Sequence, residues 1–125
     1  MERKEILVVD DERDIVEIVC ELLEDAGFAT VPAYDGQEAL EAIAKRRPDG
    51  VVLDIKMPVL DGIGVIKHLR RDPALAAMPV VVLTATRVIQ DLKEQFKKLQ
   101  VAAWLSKPFE PEELVAVVKQ VLGIR

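Results

Sequence analysis

Four short apolar runs in this sequence each lead into side chains that can bind a cation or a phosphoryl group. The side chains at the four ends are Asp10 with Asp11, then Asp54, Thr84 and Lys107. Carboxylates ligate hard divalent cations and can attack phosphorus, while a hydroxyl and an ammonium can hold phosphoryl oxygens. In an open α/β sheet, ligands bind beyond the carboxyl ends of the strands. If the runs are parallel strands, these side chains meet at one edge and form a site for a cation and a phosphoryl group together.

The runs have the composition of strands that are buried on both faces of a parallel sheet. Three of them, residues 6–9, 51–53 and 80–83, are rich in β-branched residues and almost continuously apolar. A weaker run covers residues 102–105, and a further short strand is predicted at 29–31. The sequence therefore predicts five strands.

Apolar residues recur at helical spacing after each strand, which predicts five helices. The first helix is predicted at about residues 13–26 and ends at Gly27. Asp35 and Glu38 form a candidate capping box at the start of the second helix, which Pro48 closes. The apolar residues at helical spacing on the five helices are Ile15, Ile18, Val19, Leu22 and Leu23; Leu40 and Ile43; Ile63, Ile66 and Leu69; Ile89, Leu92, Phe96 and Leu99; and Leu114, Val117, Val118, Val121 and Leu122.

Strands that alternate with helices through right-handed crossovers predict one architecture. It is a doubly wound α/β fold, a flavodoxin-like (βα)5 three-layer sandwich with a parallel sheet in the order 2-1-3-4-5. The length of 125 residues is enough for one well-buried core and not for two. Residues 1–125 are therefore expected to form a single domain.

The composition argues against several classes of partner. The formal charge of −5 disfavours direct binding to nucleic acid or to an anionic membrane, because both require clustered cationic surface. The basic residues 45–47 and 70–71 lie at predicted helix ends, where they complement the helix dipole. Cys20 is the only cysteine and is expected to be an inert thiol in a reducing cytoplasm, and the single His68 is expected at the surface. No apolar run approaches the roughly 18 residues of a membrane span.

The acidic residues at the strand ends suit magnesium. Mg²⁺ is usually held by one or two carboxylates together with water and phosphate oxygens. Asp10 and Asp11 alone could be a turn and a helix cap, and Asp54 alone a solvated strand end. Together they place three negative charges that repel one another unless a cation lies among them. Asp54 could also be a nucleophile for phosphorus, with Thr84 and Lys107 binding the phosphoryl oxygens.

Four motifs surround these residues. They are Val9-Asp10-Asp11-Glu12; Leu53-Asp54-Ile55-Lys56-Met57-Pro58 with Asp61-Gly62; Leu83-Thr84-Ala85; and Lys107-Pro108-Phe109. In type, order and near-spacing they closely resemble the receiver domains of bacterial two-component response regulators. The resemblance covers nearly the whole chain, and the motif set is highly specific.

The resemblance implies a role for each matching residue. Asp54 would accept a phosphoryl group from a sensor histidine kinase or a histidine phosphotransfer protein. Asp11 would ligate Mg²⁺ directly, with Asp10 assisting and the backbone carbonyl of Lys56 as a further ligand. The implied function is a phosphorylation-dependent signalling switch that catalyses only its own phosphorylation and dephosphorylation.

The remaining matches concern the response to phosphorylation. Lys107 would hold the phosphoryl oxygens, and Thr84 would close on them as the switch. The family usually has a cis peptide bond before the residue that matches Pro108. Trp104 stands where the family commonly has tyrosine or phenylalanine as an aromatic reporter of activation. The resemblance also implies a downstream effector at the face of helix 4, strand 5 and helix 5, and it leaves a homodimer open.

Besides Trp104, the chain departs from the family pattern in two places, and two alternative functions remain open. The segment between Thr84 and Lys107 is one residue longer than usual, and residues 100–102 lack the glycine that generally ends helix 4. One alternative is a receiver that binds partners without being phosphorylated. The other is a Mg²⁺-dependent aspartyl phosphatase. Such enzymes commonly carry a second acid two residues after the nucleophile, where this chain has Lys56.

Overall fold

Strands and helices alternate along residues 3–124, the part of the chain that the computed structural model describes. The strands are β1 (Glu5–Val9), β2 (Ala29–Ala33), β3 (Gly50–Leu53), β4 (Val80–Ala85) and β5 (Ala103–Lys107). The helices are α1 (Arg13–Asp25), α2 (Gly36–Lys45), α3 (Gly62–Arg71), α4 (Thr86–Lys98) and α5 (Pro111–Val121). No helix within residues 3–124 is long and apolar enough to cross a bilayer.

The strands form one parallel sheet in the order β2-β1-β3-β4-β5, which confirms the predicted topology. In the pairing of β1 with β3, Val9 lies opposite Leu53. The residues that follow them, Asp10 and Asp54, therefore leave the sheet side by side.

β4 and β5 extend beyond their predicted carboxyl ends. β4 continues through Thr84 to Ala85, and β5 runs on to Lys107. Thr84 pairs with Ser106 and Ala85 with Lys107, so the two predicted site residues lie within strands rather than just beyond them. The apolar pattern ends earlier than the strands because the ladder is made by backbone groups, which pair whatever the polarity of the side chain.

Helices cover both faces of the sheet and bury one hydrophobic cluster on each. The face under α2, α3 and α4 includes Leu53, Ile66, Leu69 and Phe96. The face under α1 and α5 includes Val19, Leu23, Leu83 and Leu114. Ile18 was predicted on the apolar face of α1 but is 47% exposed. It lies about 100° around the helix from the buried Val19, at the margin of the stripe.

α2 begins with the predicted cap. Oδ1 of Asp35 accepts the N–H of Glu38 at 2.8 Å. Oε1 of Glu38 in turn accepts the N–H of Tyr34 at 3.0 Å, one residue before the donor that a capping box uses. The pair still satisfies two backbone donors at the start of the helix.

α4 ends in a tight turn at the position where the expected glycine is missing. Gln100 takes the left-handed conformation there, with a φ of 57°. Its N–H donates to the carbonyl oxygen of Lys97 at 3.1 Å, and the N–H of Val101 donates to that of Phe96 at 3.0 Å. These two bonds form a Schellman motif, which satisfies the last carbonyls of the helix. A non-glycine residue in this conformation costs roughly 1 kcal/mol.

Candidate functional site

Asp10 is a buried carboxylate at the end of β1. It is 2% exposed, and its Oδ1 accepts the N–H of Glu12 at 3.0 Å. Its Oδ2 accepts a hydrogen bond from Nζ of Lys107 at 2.6 Å. Burial raises the pKa of Asp10 above its usual value, and the hydrogen bonds from Lys107 and from the Glu12 amide oppose that shift. The ionised form of Asp10 therefore depends on positive charge close by.

Asp54 directly follows β3 and is also buried, at 6% exposure. Its own N–H donates to the carbonyl oxygen of Val9 at 3.0 Å, which ties it to the end of β1. Its Oδ1 accepts the N–H of Ile55 at 2.7 Å, and its Oδ2 accepts Nζ of Lys107 at 3.1 Å. Gly62 packs against this strand end so closely that a β-carbon there would clash with the Asp54 carbonyl oxygen. The carboxylate is thus held by contacts on both oxygens.

Lys107 joins the ends of three strands. Its ammonium reaches from β5 to Asp10 and Asp54, and it lies 3.5 Å from the carboxylate of Glu12. Burial alone would lower the pKa of Lys107, but hydrogen bonds and charges from Asp10 and Asp54 raise it above its ordinary value. The peptide bond between Lys107 and Pro108 is cis, as the resemblance implied. A single cation therefore offsets part of the negative charge in a site largely shielded from water.

Three acidic side chains are placed where they could hold a metal ion. Asp10, Glu12 and Asp54 each offer one oxygen, and these oxygens lie within 4.8 Å of one another. Oxygen donors at this spacing suit a hard divalent cation. Asp11, the predicted direct ligand, is exposed and lies outside this cluster. Glu12 is a candidate ligand that the sequence pattern did not indicate, although it continues the acidic run and its amide is bound by Asp10.

Thr84 and Trp104 lie on the same face of the sheet. Val82 on β4 lies opposite Trp104 on β5 in the strand pairing. Thr84 is two residues after Val82, so the side chains of all three point to the same face. Thr84 is 1% exposed. The half-buried ring of Trp104 packs on Phe96 of α4, with ring centroids 5.9 Å apart and planes inclined by 46°. An aromatic contact therefore connects β5 to α4 on the face that carries Thr84.

The loop between β3 and α3 forms the rim of the site. Lys56 is exposed there. Val59 is 80% exposed and has a φ of 69°, an unfavourable conformation for a β-branched residue. Gly36 at the start of α2 packs so tightly on this loop that a β-carbon would clash with the carbonyl oxygen of Leu60. Contacts from α2 therefore hold the loop that carries Lys56.

His68 and Cys20 were predicted to take no part in the site, and both lie on helices away from the strand ends. His68 is exposed on α3, away from the strand ends. Cys20 is half-buried on α1, where burial raises the pKa of its thiol. A raised pKa keeps a thiol protonated and less nucleophilic.

The carboxyl edge of the sheet thus brings two buried aspartates and one lysine into direct contact. The family model of the response regulator receiver domain matches residues 6–119 of the chain. The chain belongs to this family. The flavodoxin-like sheet order and the helices on both faces of this receiver domain are consistent with its membership.

Curated relatives share about two-fifths of their matched residues with this receiver domain. The alkaline phosphatase synthesis transcriptional regulatory protein PhoP of Bacillus subtilis is 41% identical over 124 residues, which covers 95% of this chain and 48% of PhoP. The phosphate regulon transcriptional regulatory protein PhoB of Escherichia coli is 40% identical over 121 residues, covering 95% of this chain and 52% of PhoB. The chain spans about half the length of the curated relatives that it matches.

Two solved structures share the fold over almost their whole length. The chemotaxis response regulator CheY4 of Vibrio cholerae superposes with a TM-score of 0.88 at 33% identity, covering 96% of this chain and 99% of CheY4. The receiver domain of response regulator 1452 from Francisella superposes with a TM-score of 0.86 at 33% identity, covering 97% of this chain and 98% of that domain. The receiver domain therefore has structural counterparts of its own size.

Proposed function

We propose that this receiver domain is the phosphoacceptor switch of a two-component phosphorelay, with Asp54 as the acceptor. The observation that carries the proposal is the position of Lys107, whose Nζ contacts Oδ2 of Asp54 at 3.1 Å and Oδ2 of Asp10 at 2.6 Å. A fixed positive charge beside the nucleophile is what phosphoryl transfer requires as charge develops on the transferred oxygens. Residues 1–125 are proposed to form one receiver domain.

In the proposed reaction, a carboxylate oxygen of Asp54 attacks the phosphorus of a phosphohistidine on a sensor kinase or a histidine phosphotransfer protein. The bond from Asp54 to phosphorus forms as the bond from phosphorus to the imidazole nitrogen breaks, and that nitrogen takes up a proton. The product is an aspartyl phosphate, which water later hydrolyses to aspartate and inorganic phosphate. The chain acts only on itself, so its role is that of a switch rather than that of an enzyme with a separate substrate.

Mg²⁺ is the proposed cofactor, held by the carboxylates of Asp10, Asp11 and Asp54 and by the backbone carbonyl of Lys56. The spacing of the acidic oxygens fits such an ion, since those of Asp10, Glu12 and Asp54 lie within 4.8 Å of one another. When bound, Mg²⁺ would neutralise charge on the phosphoryl oxygens. The Ile55 amide, which donates to Oδ1 of Asp54, would keep the nucleophile oriented.

The proposed output is a shift between two conformations. The ammonium of Lys107 would move from the carboxylates to the phosphoryl oxygens, and the hydroxyl of Thr84 would close on them. Trp104, which lies on the same sheet face and packs on Phe96 of α4, would turn in response. The face of α4, β5 and α5 is proposed to bind a downstream effector or a second copy of the chain. A cytoplasmic location is proposed on the ground that the one cysteine forms no internal disulfide.

Acetyl phosphate provides the direct test of the acceptor. Intact mass spectrometry should show one added phosphoryl group, and only when Mg²⁺ is present. Asp54→Asn should abolish the addition, because the amide lacks the nucleophilic oxygen charge. Asp25→Asn, which changes an exposed aspartate at the end of α1, is the matched control and should be labelled like the parent.

Each alternative predicts a different result. Equal labelling of Asp54→Asn and the parent would overturn the assignment of the acceptor. No labelling of the parent at any Mg²⁺ concentration would favour a receiver that binds partners without phosphorylation. Release of inorganic phosphate from small phosphomonoesters with turnover would favour a phosphatase.

A further inference from the structure

Arg70, near the end of α3, joins three parts of the chain through its guanidinium. Its Nε donates to the carbonyl oxygen of Leu99 at 2.8 Å, and its Nη2 donates to that of Gln100 at 3.2 Å. Its Nη1 donates to the carbonyl oxygens of Ala76 at 3.1 Å and Met78 at 2.9 Å. One edge of the guanidinium therefore holds the end of α4, and the remaining nitrogen holds the loop that leads into β4.

The contacts on α4 lie at the negative end of its dipole. Leu99 caps the helix and Gln100 is the left-handed residue that follows it. A cation there is electrostatically favourable, and the planar fork of arginine can bind two adjacent carbonyls where a lysine offers only a point charge. Phe96, one turn earlier, is fully buried and packs on Trp104. The C-terminal end of α4 is thus fixed by hydrogen bonds and by packing.

The N-terminal half of α4 packs on the core through the partly buried Val88, Ile89 and Leu92, but its first turn has no side-chain cap. Its cap residue, Ala85, offers no side-chain acceptor, and the first turn contains no acidic residue. Arg87 lies in that turn, where a cation opposes the helix dipole. Phe96 is the one fully buried residue of the helix, and residues 85–87 are exposed. This weakly held end directly follows Thr84, the proposed switch residue.

We propose that Arg70 is a positioning residue that makes the C-terminal end of α4 a pivot, so that activation displaces the N-terminal half of the helix and leaves the end at Leu99 in place. The inference rests on the proposed function, since the displacement is driven from Asp54 through Thr84. A partner that distinguishes the two states then reads the side chains at the start of α4. Trp104 turns against a Phe96 that stays fixed.

Amide hydrogen exchange followed by NMR measures the two ends of α4 separately. The probe is Mg²⁺ with beryllofluoride, a phosphoryl mimic, added to the 125-residue chain. In the parent, exchange should change at least several-fold at residues 87–92 and by less than about twofold at residues 97–101, since local opening reports local anchoring. In Arg70→Met, the amides at 97–101 should lose about tenfold in protection in the free protein, and the response to beryllofluoride should extend to them.

Arg71→Met is the matched control, because it removes an exposed arginine from the same turn of α3. It should exchange like the parent at both ends of α4. Arg70→Lys keeps the charge but not the fork, and it should give an intermediate loss at 97–101 if Arg70→Met does not fold. Equal responses at the two ends of α4 in the parent, or matching behaviour of Arg70→Met and Arg71→Met, would overturn the inference.

Failure of the proposed function gives a different pattern. If Mg²⁺ and beryllofluoride leave every amide of the parent unchanged and acetyl phosphate adds no mass, the phosphoacceptor site is refuted and the pivot is refuted with it. If the mass increases and beryllofluoride binds but the C-terminal end of α4 moves as much as the N-terminal end, only the role of Arg70 is refuted.

Discussion

Nζ of Lys107 lies 2.6 Å from Oδ2 of Asp10, in a contact between side chains that are 17% and 3% exposed. The two residues are 97 positions apart in the chain. This ion pair connects β5 to the end of β1 at the carboxyl edge of the sheet. Asp54 contacts the same ammonium. The two buried carboxylates are therefore both paired with the ammonium of Lys107.

Removal of that cation should destabilise the protein in a pH-dependent way. Lys107→Met leaves Asp10 buried without its ion-pair partner, and loss of one member of a buried pair lowers the free energy of unfolding by about 3 kcal/mol. The pKa of Asp10 is already raised above 3.8 by burial, so the folded state binds its proton more tightly than the unfolded state. Protonation of Asp10 therefore stabilises the folded state, and this effect grows as the pH falls through the raised pKa towards 3.8. The deficit of Lys107→Met should be smaller at about pH 5 than at about pH 7.

Urea unfolding of the parent and the variant at both pH values measures this difference. Lys93→Met, which removes an exposed lysine from α4, is the control and should change stability little. A deficit for Lys107→Met that is the same at both pH values would show that Asp10 does not take up the proton.

The Mg²⁺ ligands should be separable by mutation. Asp11→Asn should weaken Mg²⁺ binding by about tenfold or more, since it removes a carboxylate that is proposed to ligate the ion directly. Glu12→Gln should weaken it by only a few-fold, because the Glu12 side chain is 64% exposed and also faces Lys107 at 3.5 Å. Isothermal titration with MgCl₂, together with the Mg²⁺-dependent rise in Tm, measures both variants. A larger loss for Glu12→Gln would place the ion on Asp10, Glu12 and Asp54 instead.

Lys56 should set the lifetime of the phosphorylated state. It is exposed two residues after Asp54, where its long side chain can obstruct the attacking water and pair with a phosphoryl oxygen. Lys56→Asn should therefore speed loss of the phosphoryl group by up to about tenfold, which corresponds to roughly 1.4 kcal/mol in the barrier. The decay of phosphorylated protein after removal of the phosphodonor measures the rate, with Lys67→Asn on α3 as the control. A decay no faster than that of the parent would exclude Lys56 as the gate.

Trp104 should report the switch through its fluorescence. Its indole packs on Phe96 and shares a sheet face with Thr84. Closure of the Thr84 hydroxyl on the phosphoryl group should open space into which the ring can turn, so Mg²⁺ and beryllofluoride together should change the emission. The change should be absent in Thr84→Ala and retained in Thr30→Ala, a substitution on β2. A signal that persists in Thr84→Ala would disconnect the ring from the switch.

Gln100→Gly should stabilise the protein. Gln100 has a φ of 57°, which glycine adopts without steric penalty, so the free energy of unfolding should rise by roughly 1 kcal/mol. Gln90→Gly is the matched control, since the same substitution at an exposed interior position of α4 should lower stability by about 1 kcal/mol. Thermal or urea unfolding checks both. Loss of stability in Gln100→Gly would indicate that the glutamine side chain makes a contribution larger than the backbone strain.

Local features of the sequence determined the fold and indicated where a site would lie. The apolar runs and the helical spacing depend on residues close together in the chain, so the order of elements and the sheet order 2-1-3-4-5 followed from them. The same runs placed Asp10 and Asp54 at neighbouring strand ends, because strands of a parallel sheet have their carboxyl ends at one edge. The family resemblance then supplied roles for Lys107 and Thr84.

The tertiary structure decided which groups touch. The cluster of close acidic oxygens includes Glu12 rather than Asp11. The direction in which a side chain points after a turn cannot be predicted from the residue type. The tertiary structure also placed the fork of Arg70 on carbonyl oxygens of Leu99 and Gln100. Every residue has a backbone carbonyl, so the sequence does not indicate which carbonyls accept a hydrogen bond from a side chain. Only the packed positions of α3 and α4 determine which carbonyls the arginine binds.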